Sequence, residues 1–139
     1  MNYIILFIFI SIISADVYNG LTLFSPLPSQ GSSGGYTYLI DSNENIINEW
    51  EHDCRVVSIA YLESDSSVII PCSQNIVPGL GSNASSPGGR ILKYDWSGNV
   101  LWDDVFVEEY YQPHHDIEPL PNGNILLISW DRKTYLEAL

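Results

Sequence analysis

The amino-acid sequence predicts an all-β protein made of short antiparallel strands. No stretch of the chain has apolar residues at the i, i+3, i+4 and i+7 spacing of an amphipathic helix. Short runs rich in β-branched and aromatic residues alternate instead with turns that contain Asp, Asn and Gly. The turn motifs also recur along the chain, which is typical of a protein built from repeated β units. With 45% hydrophobic and 12% aromatic residues, the chain has the composition of a protein that forms a core.

The charge and length of the chain exclude several function classes. It has 139 residues, with 5 Lys and Arg against 17 Asp and Glu, and therefore a formal net charge of -12. Binding to nucleic acid or to an anionic membrane needs clustered positive charge, which this sequence lacks. A whole barrel of eight βα units or a complete propeller does not fit in this length.

The first fifteen residues, MNYIILFIFISIISA, predict a secretory signal peptide at 1–15. They contain no charged side chain, and Asp16 follows them directly. The apolar run 3–13 is shorter than the roughly 20 residues that span a bilayer, and Ala15 is small enough for a cleavage site. The alternative is a buried first strand. No later segment is apolar over a membrane-spanning length, so we expect a secreted or periplasmic protein without a stable membrane span.

Residues 16–35 are predicted to form an N-terminal segment and a loop, because 23–35 is rich in Ser, Pro and Gly. The remainder, 36–139, alternates strands and turns. Predicted strands cover 36–40, 46–49, 56–61, 68–70, 90–94, 100–102, 115–118 and 125–130.

Two pairs of segments repeat, and this repeat is the most informative feature of the sequence. Residues 38–50 align with 92–104 at an offset of 54, and 60–70 align with 117–127 at an offset of 57. Two four-stranded units, at about 36–75 and 90–132, would be blades of a β-propeller, because a single blade cannot bury both of its faces. A β-sandwich is the alternative. Two blades cannot close a ring, so we expect 36–139 to be a partial propeller domain from the N-terminal part of a longer protein.

The two cysteines, Cys54 and Cys72, are 18 positions apart. In a secreted chain they can form a disulfide, whereas the alternative is a pair of small buried apolar residues. Their spacing matches no zinc motif, and we expect neither a metal nor a cofactor. Asn83 begins an N-glycosylation acceptor tripeptide within a loop-like stretch.

Candidate site residues lie at the start of a late predicted strand, in the sequence His114-His115-Asp116. Neighbours on a strand point to opposite faces, so we expect one of the two histidines to face a site. His115 is preferred because it shares a face with Ile117, and Asp116 is expected to orient a ring or hold a loop. The alternative is a surface or structural hydrogen-bonding role for both histidines.

Other motifs predict less. His52 is expected at a solvated strand end, and Arg90 either reaches an anion or lies on the surface. Asp41, Asn43 and Asn45 have the spacing of half a calcium loop, but the Gly of that loop is missing, which favours a simple turn. Adjacent acidic residues at 103–104 and 108–109 point to opposite faces of a strand and do not make a glycosidase pair.

Taken together, the segments GLTLFSP, TYLIDSNENIINEW, GGRILKYDWSGNVLWDD and HHDIEPLPNGNILLISWD resemble the start of the arylsulfotransferase family. The resemblance covers most of the chain after the predicted signal peptide. It implies a six-bladed propeller in which a histidine of the central channel carries sulfate from an aryl sulfate donor to a phenolic acceptor, without a nucleotide cofactor.

The resemblance also implies roles for the candidate residues. A neutral imidazole can attack sulfur, and further His or Arg side chains must neutralise the sulfate oxygens. His115 and His114 are then expected to bind sulfate or stabilise the transition state, and Asp116 to orient them. Neither histidine is expected to be the nucleophile, which in the family belongs to a later blade, so the 139-residue chain alone is expected to be inactive. The alternative from another class is a non-catalytic secreted β-propeller module that binds a partner. The oligomeric state stays open.

Overall fold

A computed structural model describes residues 18–28, 34–78, 80 and 87–139. The predicted signal peptide at 1–15 and the glycosylation tripeptide at Asn83 lie outside these residues.

The described chain forms nine antiparallel β-strands and no helix, which confirms the all-β prediction. The strands are β1 (Thr22–Phe24), β2 (Gly35–Ile40), β3 (Ile46–His52), β4 (Tyr61–Leu62), β5 (Val68–Cys72), β6 (Arg90–Tyr94), β7 (Val100–Val105), β8 (Tyr111–Pro119) and β9 (Ile125–Asp131). They make a first sheet in the order β1-β2-β3, a second sheet in the order β4-β5-β6-β7, and a hairpin of β8 and β9. None of the three closes on itself.

Two strand predictions differ from the structure. The predicted loop before residue 36 contains β1, in which Leu23 pairs with Leu39 of β2 and packs against the core. Its apolar run is only three residues long, and the Pro- and Ser-rich sequence that follows obscured it. The predicted strand 56–61 forms just a single bridge, from Val56 to Cys72, before β4 begins at Tyr61.

Four turns share one backbone geometry and explain the repeat in the sequence. In each turn, the first residue donates its N–H to the carbonyl of the fifth, and the fourth donates to the carbonyl of the first, with N···O distances of 2.7–3.1 Å. The turns begin at Asp41, Glu63, Asp95 and Leu120. The fourth residue has a positive φ in every case, between 65° and 83°. The aligned sequence segments therefore form hairpins with the same turn geometry.

The Asp side chains of two of these turns satisfy the backbone in the same way. Asp41 Oδ1 accepts the N–H groups of Asn43 and Asn45 at 2.8 and 2.9 Å, and Oδ2 accepts the Asn45 side-chain amide at 2.9 Å. Asp95 makes the same set of bonds with Ser97 and Asn99. These bonds occupy both oxygens of Asp41 within the turn, which agrees with a turn rather than half of a calcium loop.

The main core lies between the first two sheets. Trp50 of β3 is 1% exposed and, together with Leu39, packs against residues of the second sheet such as Ile70 and Leu92. Its indole N–H donates to the carbonyl of Asp95 at 2.8 Å, so the polar atom of this large side chain is satisfied by a turn of the opposite sheet. The ring of Trp96 meets that of Trp50 edge-on, with centroids 5.8 Å apart.

A disulfide between Cys54 and Cys72 joins the segment that follows β3 to the last residue of β5. The two Cα atoms are 5.6 Å apart, and both residues are buried in the main core. The disulfide interpretation of the two cysteines therefore holds, and the link connects the first sheet to the second.

The sheet boundaries differ from the repeat boundaries in the sequence. Each aligned unit, 36–75 or 90–132, contributes its first hairpin to one sheet and its second hairpin to the next, and the four-stranded sheet runs from β4 to β7. The alignment gives the length of the repeat but not the strand at which each sheet begins. The strand at which a sheet begins is determined by the connections between strands. The connection after β3 crosses to the next sheet, whereas the connection after β5 returns to the same sheet.

The shared turn geometry predicts opposite effects for two substitutions. Gly98 has φ +83°, and a Cβ added there would meet no described atom within 4 Å beyond its chain neighbours. Gly98→Ala is therefore expected to lower the free energy of unfolding by about 1–2 kcal/mol through backbone strain alone. Glu44 has φ 65° at the equivalent position, and Glu44→Gly is expected to raise the free energy of unfolding by up to about 1 kcal/mol. Urea unfolding of both variants measures this difference. Equal effects of the same sign would contradict the equivalence of the turns.

Candidate functional site

The candidate histidines lie in an irregular part of β8. The register places Pro113 opposite Ser129 and Ile117 opposite Leu127, so three residues of β8 face a single residue of β9. His115, within this bulge, has φ 60°, which a non-glycine residue rarely adopts. A bulge re-aims side chains, and the simple alternation expected from the sequence therefore does not apply here.

The two imidazoles contact each other rather than pointing to opposite faces. The Nδ1 atoms of His114 and His115 are 2.8 Å apart, whereas the ring centroids are 5.0 Å apart, so the nitrogens face one another. One Nδ1 must carry a hydrogen and donate it to the other. The expectation that only one of the two histidines faces a given site is wrong, because the bulge brings both rings to one place.

This hydrogen bond determines which nitrogens can meet a ligand. In the neutral pair, the ring that donates through Nδ1 keeps its lone pair on Nε2, while the ring that accepts carries an N–H at Nε2. When the pair takes up one proton, both Nε2 atoms carry N–H groups. The arrangement can thus offer a base and a donor together, or two donors to an anion.

The environments of the two rings differ. His114 is half-buried and stacks on Trp130 of β9, with centroids 4.1 Å apart and planes at 20°. Burial, with a smaller effect of the neighbouring His115, lowers the pKa of His114. His115 is exposed. The lowered pKa of His114 favours the neutral form of this ring.

Asp116 is held by the second sheet. Its Oδ1 accepts hydrogen bonds from the Ser58 hydroxyl at 2.8 Å, from the Tyr61 hydroxyl at 2.9 Å and from the N–H of Ile117 at 2.9 Å. Burial acts to raise the pKa of Asp116, but these three donors outweigh it and lower the pKa. The carboxylate holds a loop to its neighbours, one of the two roles expected of it, and the hydrogen bonds described go to Ser58, Tyr61 and Ile117 rather than to a histidine ring.

Tyr61 joins two sheets through a single hydroxyl. Its oxygen lies 2.9 Å from Asp116 Oδ1 and 2.7 Å from the carbonyl oxygen of Ile117, so these two acceptors share its one hydrogen. Burial and the hydrogen bond to the Asp116 carboxylate raise the pKa of Tyr61 to about 12. The phenol is therefore neutral at physiological pH and acts as a donor.

Gln112, fully buried, fixes the start of β8. Its amide donates to the carbonyls of Asn75 and Gly88 at 3.0 and 3.2 Å, and its carbonyl oxygen accepts the N–H of Val77 at 3.0 Å. The residue thus binds the connection between β5 and β6 to the strand that carries the histidines. Sequence reasoning missed it because a lone glutamine gives no periodic signal; its position two residues before His114 was the available clue.

His52 is buried, at 4% exposure, and not at a solvated strand end as expected. Its Nδ1 donates to the carbonyl of Cys54 at 2.9 Å, and its Nε2 accepts from the Thr37 hydroxyl at 3.2 Å. The Thr37 oxygen in turn accepts from the Ser25 hydroxyl at 2.8 Å. These donor and acceptor roles are those of a neutral ring, and the buried contacts place His52 in the structure of the first sheet.

Arg90 is occupied by two carboxylates and does not extend freely to an anion. Its Nε and Nη2 donate to both oxygens of Asp103 at 2.8 Å, and its Nη1 donates to Asp53 at 2.8 Å. Asp103 first, and then Asp53, raise the pKa of Arg90. The two carboxylates leave the guanidinium little capacity for a further anion.

Within the described ranges 18–28, 34–78, 80 and 87–139, no group of three or more His, Cys, Asp and Glu side chains is placed to hold a metal ion. The same residues include no helix that is long and apolar enough to cross a membrane.

No protein-family model, curated protein or solved structure matches this chain.

The buried ring of His52 predicts a pH-dependent stability. Burial lowers the pKa of His52 below its ordinary value of 6.5. The unfolded chain then takes up a proton before the folded chain does, so stability is complete above about pH 6.5 and declines as the pH falls below this value. Urea unfolding between about pH 7.5 and about pH 5 is expected to show this loss, and His52→Gln is expected to have a flatter profile from a lower starting stability.

The matched control is His114→Gln, which removes a less buried imidazole with a lowered pKa and is expected to flatten the profile less. Parallel profiles for His52→Gln and the unmodified chain would contradict the neutral, buried state of His52.

Proposed function

We propose that the chain is the N-terminal part of a secreted or periplasmic arylsulfotransferase, which moves sulfate from an aryl sulfate ester to a phenolic acceptor through a sulfo-histidine. In this proposal the sheets are parts of a β-propeller, six-bladed as in the family that the sequence resembles. The nucleophilic histidine belongs to a later part of the protein. His115 and His114 bind the sulfate group or stabilise the transition state, and this chain alone is inactive.

The observation that carries the proposal is the paired imidazoles on the β8 bulge. A sulfuryl group in transfer carries negative charge on its oxygens, and two imidazole N–H groups from one protonated pair are suitable donors to them. The Nδ1 to Nδ1 hydrogen bond at 2.8 Å fixes the rings relative to each other, so less freedom is lost when an anion binds. No nucleotide is required for this chemistry.

The arrangement of strands supports the propeller part of the proposal. The second sheet is a four-stranded antiparallel meander from β4 to β7, as a propeller blade is. β8 and β9 repeat the hairpin that begins this sheet, and β2 and β3 repeat the hairpin that ends it. In this arrangement β8, which carries the histidines, corresponds to β4, the first strand of a blade and the one nearest to a propeller channel.

The disulfide and the N-terminal apolar sequence are consistent with the proposed location. A disulfide links Cys54 and Cys72, and such links persist in secreted and periplasmic proteins. The apolar leader-like sequence at 1–15 points to the same compartment.

The test uses the natural secreted protein, identified with an antibody against residues 36–130. We expect a mass several times the 15.6 kDa of this chain and transfer of sulfate from para-nitrophenyl sulfate to phenol, followed by the absorbance of para-nitrophenolate. His115→Ala in that protein is expected to lower kcat by about 10²–10³, the effect of removing one transition-state hydrogen-bond donor.

Glu118→Gln is the matched control, because it changes an exposed side chain three positions along the same strand and is expected to retain full activity. A natural product of 15.6 kDa or less, or a larger one without transfer, would overturn the sulfotransferase proposal. Transfer that His115→Ala leaves unchanged would overturn the role of the histidine pair.

The second candidate is a non-catalytic secreted β-propeller module that binds a partner. The observation in its favour is the pattern of bonds around Asp116, which joins β8 to Ser58 and Tyr61 of the preceding segment and would serve structure alone. A large natural protein that shows no sulfate transfer and no sulfate-dependent change at His115 would favour this candidate.

A further inference from the structure

The bulge of β8 needs external support. His115 at φ 60° is in a conformation that persists only where the surrounding structure imposes it. Three residues of β8 oppose one of β9, so the regular hydrogen bonds of the hairpin are interrupted between Pro113 and Ile117. Contacts from outside the hairpin must therefore help to determine where the two imidazoles lie.

Those contacts converge on the residue that follows His115. Ser58 and Tyr61 lie on the segment leading into the second sheet, more than fifty positions earlier in the chain, and both donate to one oxygen of Asp116. The same oxygen accepts the N–H of Ile117, and the Tyr61 hydroxyl reaches the Ile117 carbonyl at 2.7 Å. The end of the bulge is thus bound to the second sheet at both Asp116 and Ile117.

The start of the bulge is fixed separately. His114 forms a β-bridge with Pro87, and its ring stacks on Trp130. With both ends fixed, the backbone at His115 has little freedom, and its ring is directed toward His114. The support at Asp116 consists of polar side chains, which makes it open to conservative substitution.

We propose that Tyr61 and Ser58 act through Asp116 to hold His115 in hydrogen-bonding contact with His114, and that these three are positioning residues for the oxyanion site of the histidine pair. The use of the pair for an oxyanion rests on the proposed function. The way in which the pair is held does not, because it follows from the contacts of the bulge.

The experiment observes the ring nitrogens of the full 139-residue chain, labelled with ¹⁵N-histidine. The chain has three histidines, so the spectrum is simple. We expect a scalar coupling across the hydrogen bond between the Nδ1 atoms of His114 and His115. Tyr61→Phe removes one donor while keeping the aromatic ring, and it is expected to weaken this coupling; Asp116→Ala is expected to abolish it.

Two variants make the result specific. Asp116→Asn keeps an acceptor oxygen and is expected to restore part of the coupling that Asp116→Ala loses. Tyr135→Phe removes a phenol that is 78% exposed on the C-terminal segment and is expected to leave the coupling unchanged. The signals of the buried His52 ring report in each sample whether the first sheet is folded.

A weaker coupling in Tyr61→Phe and its loss in Asp116→Ala, with unchanged His52 signals, are the expected results. A coupling that persists in both variants, or that is absent from the folded unmodified chain, would overturn the positioning role. A change in melting temperature alone, with the coupling intact, would also overturn it, since that is what a purely structural role produces. The measurement needs no activity, so an absence of sulfate transfer together with the expected coupling would count against the proposed function and not against this inference.

Discussion

The burial of Trp50 between the first and second sheets is the interaction on which the rest of the structure depends. A sheet with one apolar face needs another layer to cover that face. Trp50 is the largest fully buried side chain among the described residues, and its N–H is satisfied by the Asp95 carbonyl, so the turn of one sheet is fixed relative to the other. The disulfide lies in the same core, and the segment carrying Ser58 and Tyr61 follows from it. The position of the candidate site therefore depends on this packing indirectly, through the segment that carries Ser58 and Tyr61.

Many of the acidic side chains behind the net charge of -12 have a structural role. Several carboxylates accept hydrogen bonds within their own turns, as Asp41 and Asp95 do, and others pair with Arg90. The turn hydrogen bonds lower the pKa of Asp41 and of Asp95. The acidic residues thus serve local backbone structure as well as solubility. Under the proposed function, an anion that approaches the histidine pair meets an acidic protein, so a protonated pair would bind it more strongly than a neutral pair.

The sequence was sufficient to predict the all-β class and the recurring hairpins, because turn chemistry is local. Asp, Asn, Ser and Gly favour turns through hydrogen bonds and backbone angles within the turn itself, and the four turns formed where the sequence placed them. The grouping of hairpins into sheets could not be predicted, since it depends on which connection crosses between sheets. His52 was misplaced for a similar reason: Thr37 and Cys54, which satisfy its ring, are brought to it by strand pairing and by the turn of the chain after β3.

The geometry around the candidate histidines could not be predicted from the sequence. The alternation rule separated the rings of His114 and His115, which the bulge brings together. A bulge of this kind leaves little trace in a single sequence, because His115 is not the glycine that a left-handed backbone conformation usually requires. Ser58, Tyr61 and Gln112 were also missed, since each acts through a contact between distant segments.

The disulfide has a mechanical consequence for how the described chain comes apart. It ties the end of the first sheet to the middle of the second, so these two sheets cannot separate while the bond is intact. The β8–β9 hairpin has no such tie, and it is held by a small apolar cluster around Ile117 and by the side chains of Gln112 and Asp116. Under tension or partial denaturation this hairpin is the unit that can leave first and return. The contact between His114 and Trp130 belongs to this hairpin, so the histidine pair would keep that contact but lose its anchors to Ser58 and Tyr61 when the hairpin detaches.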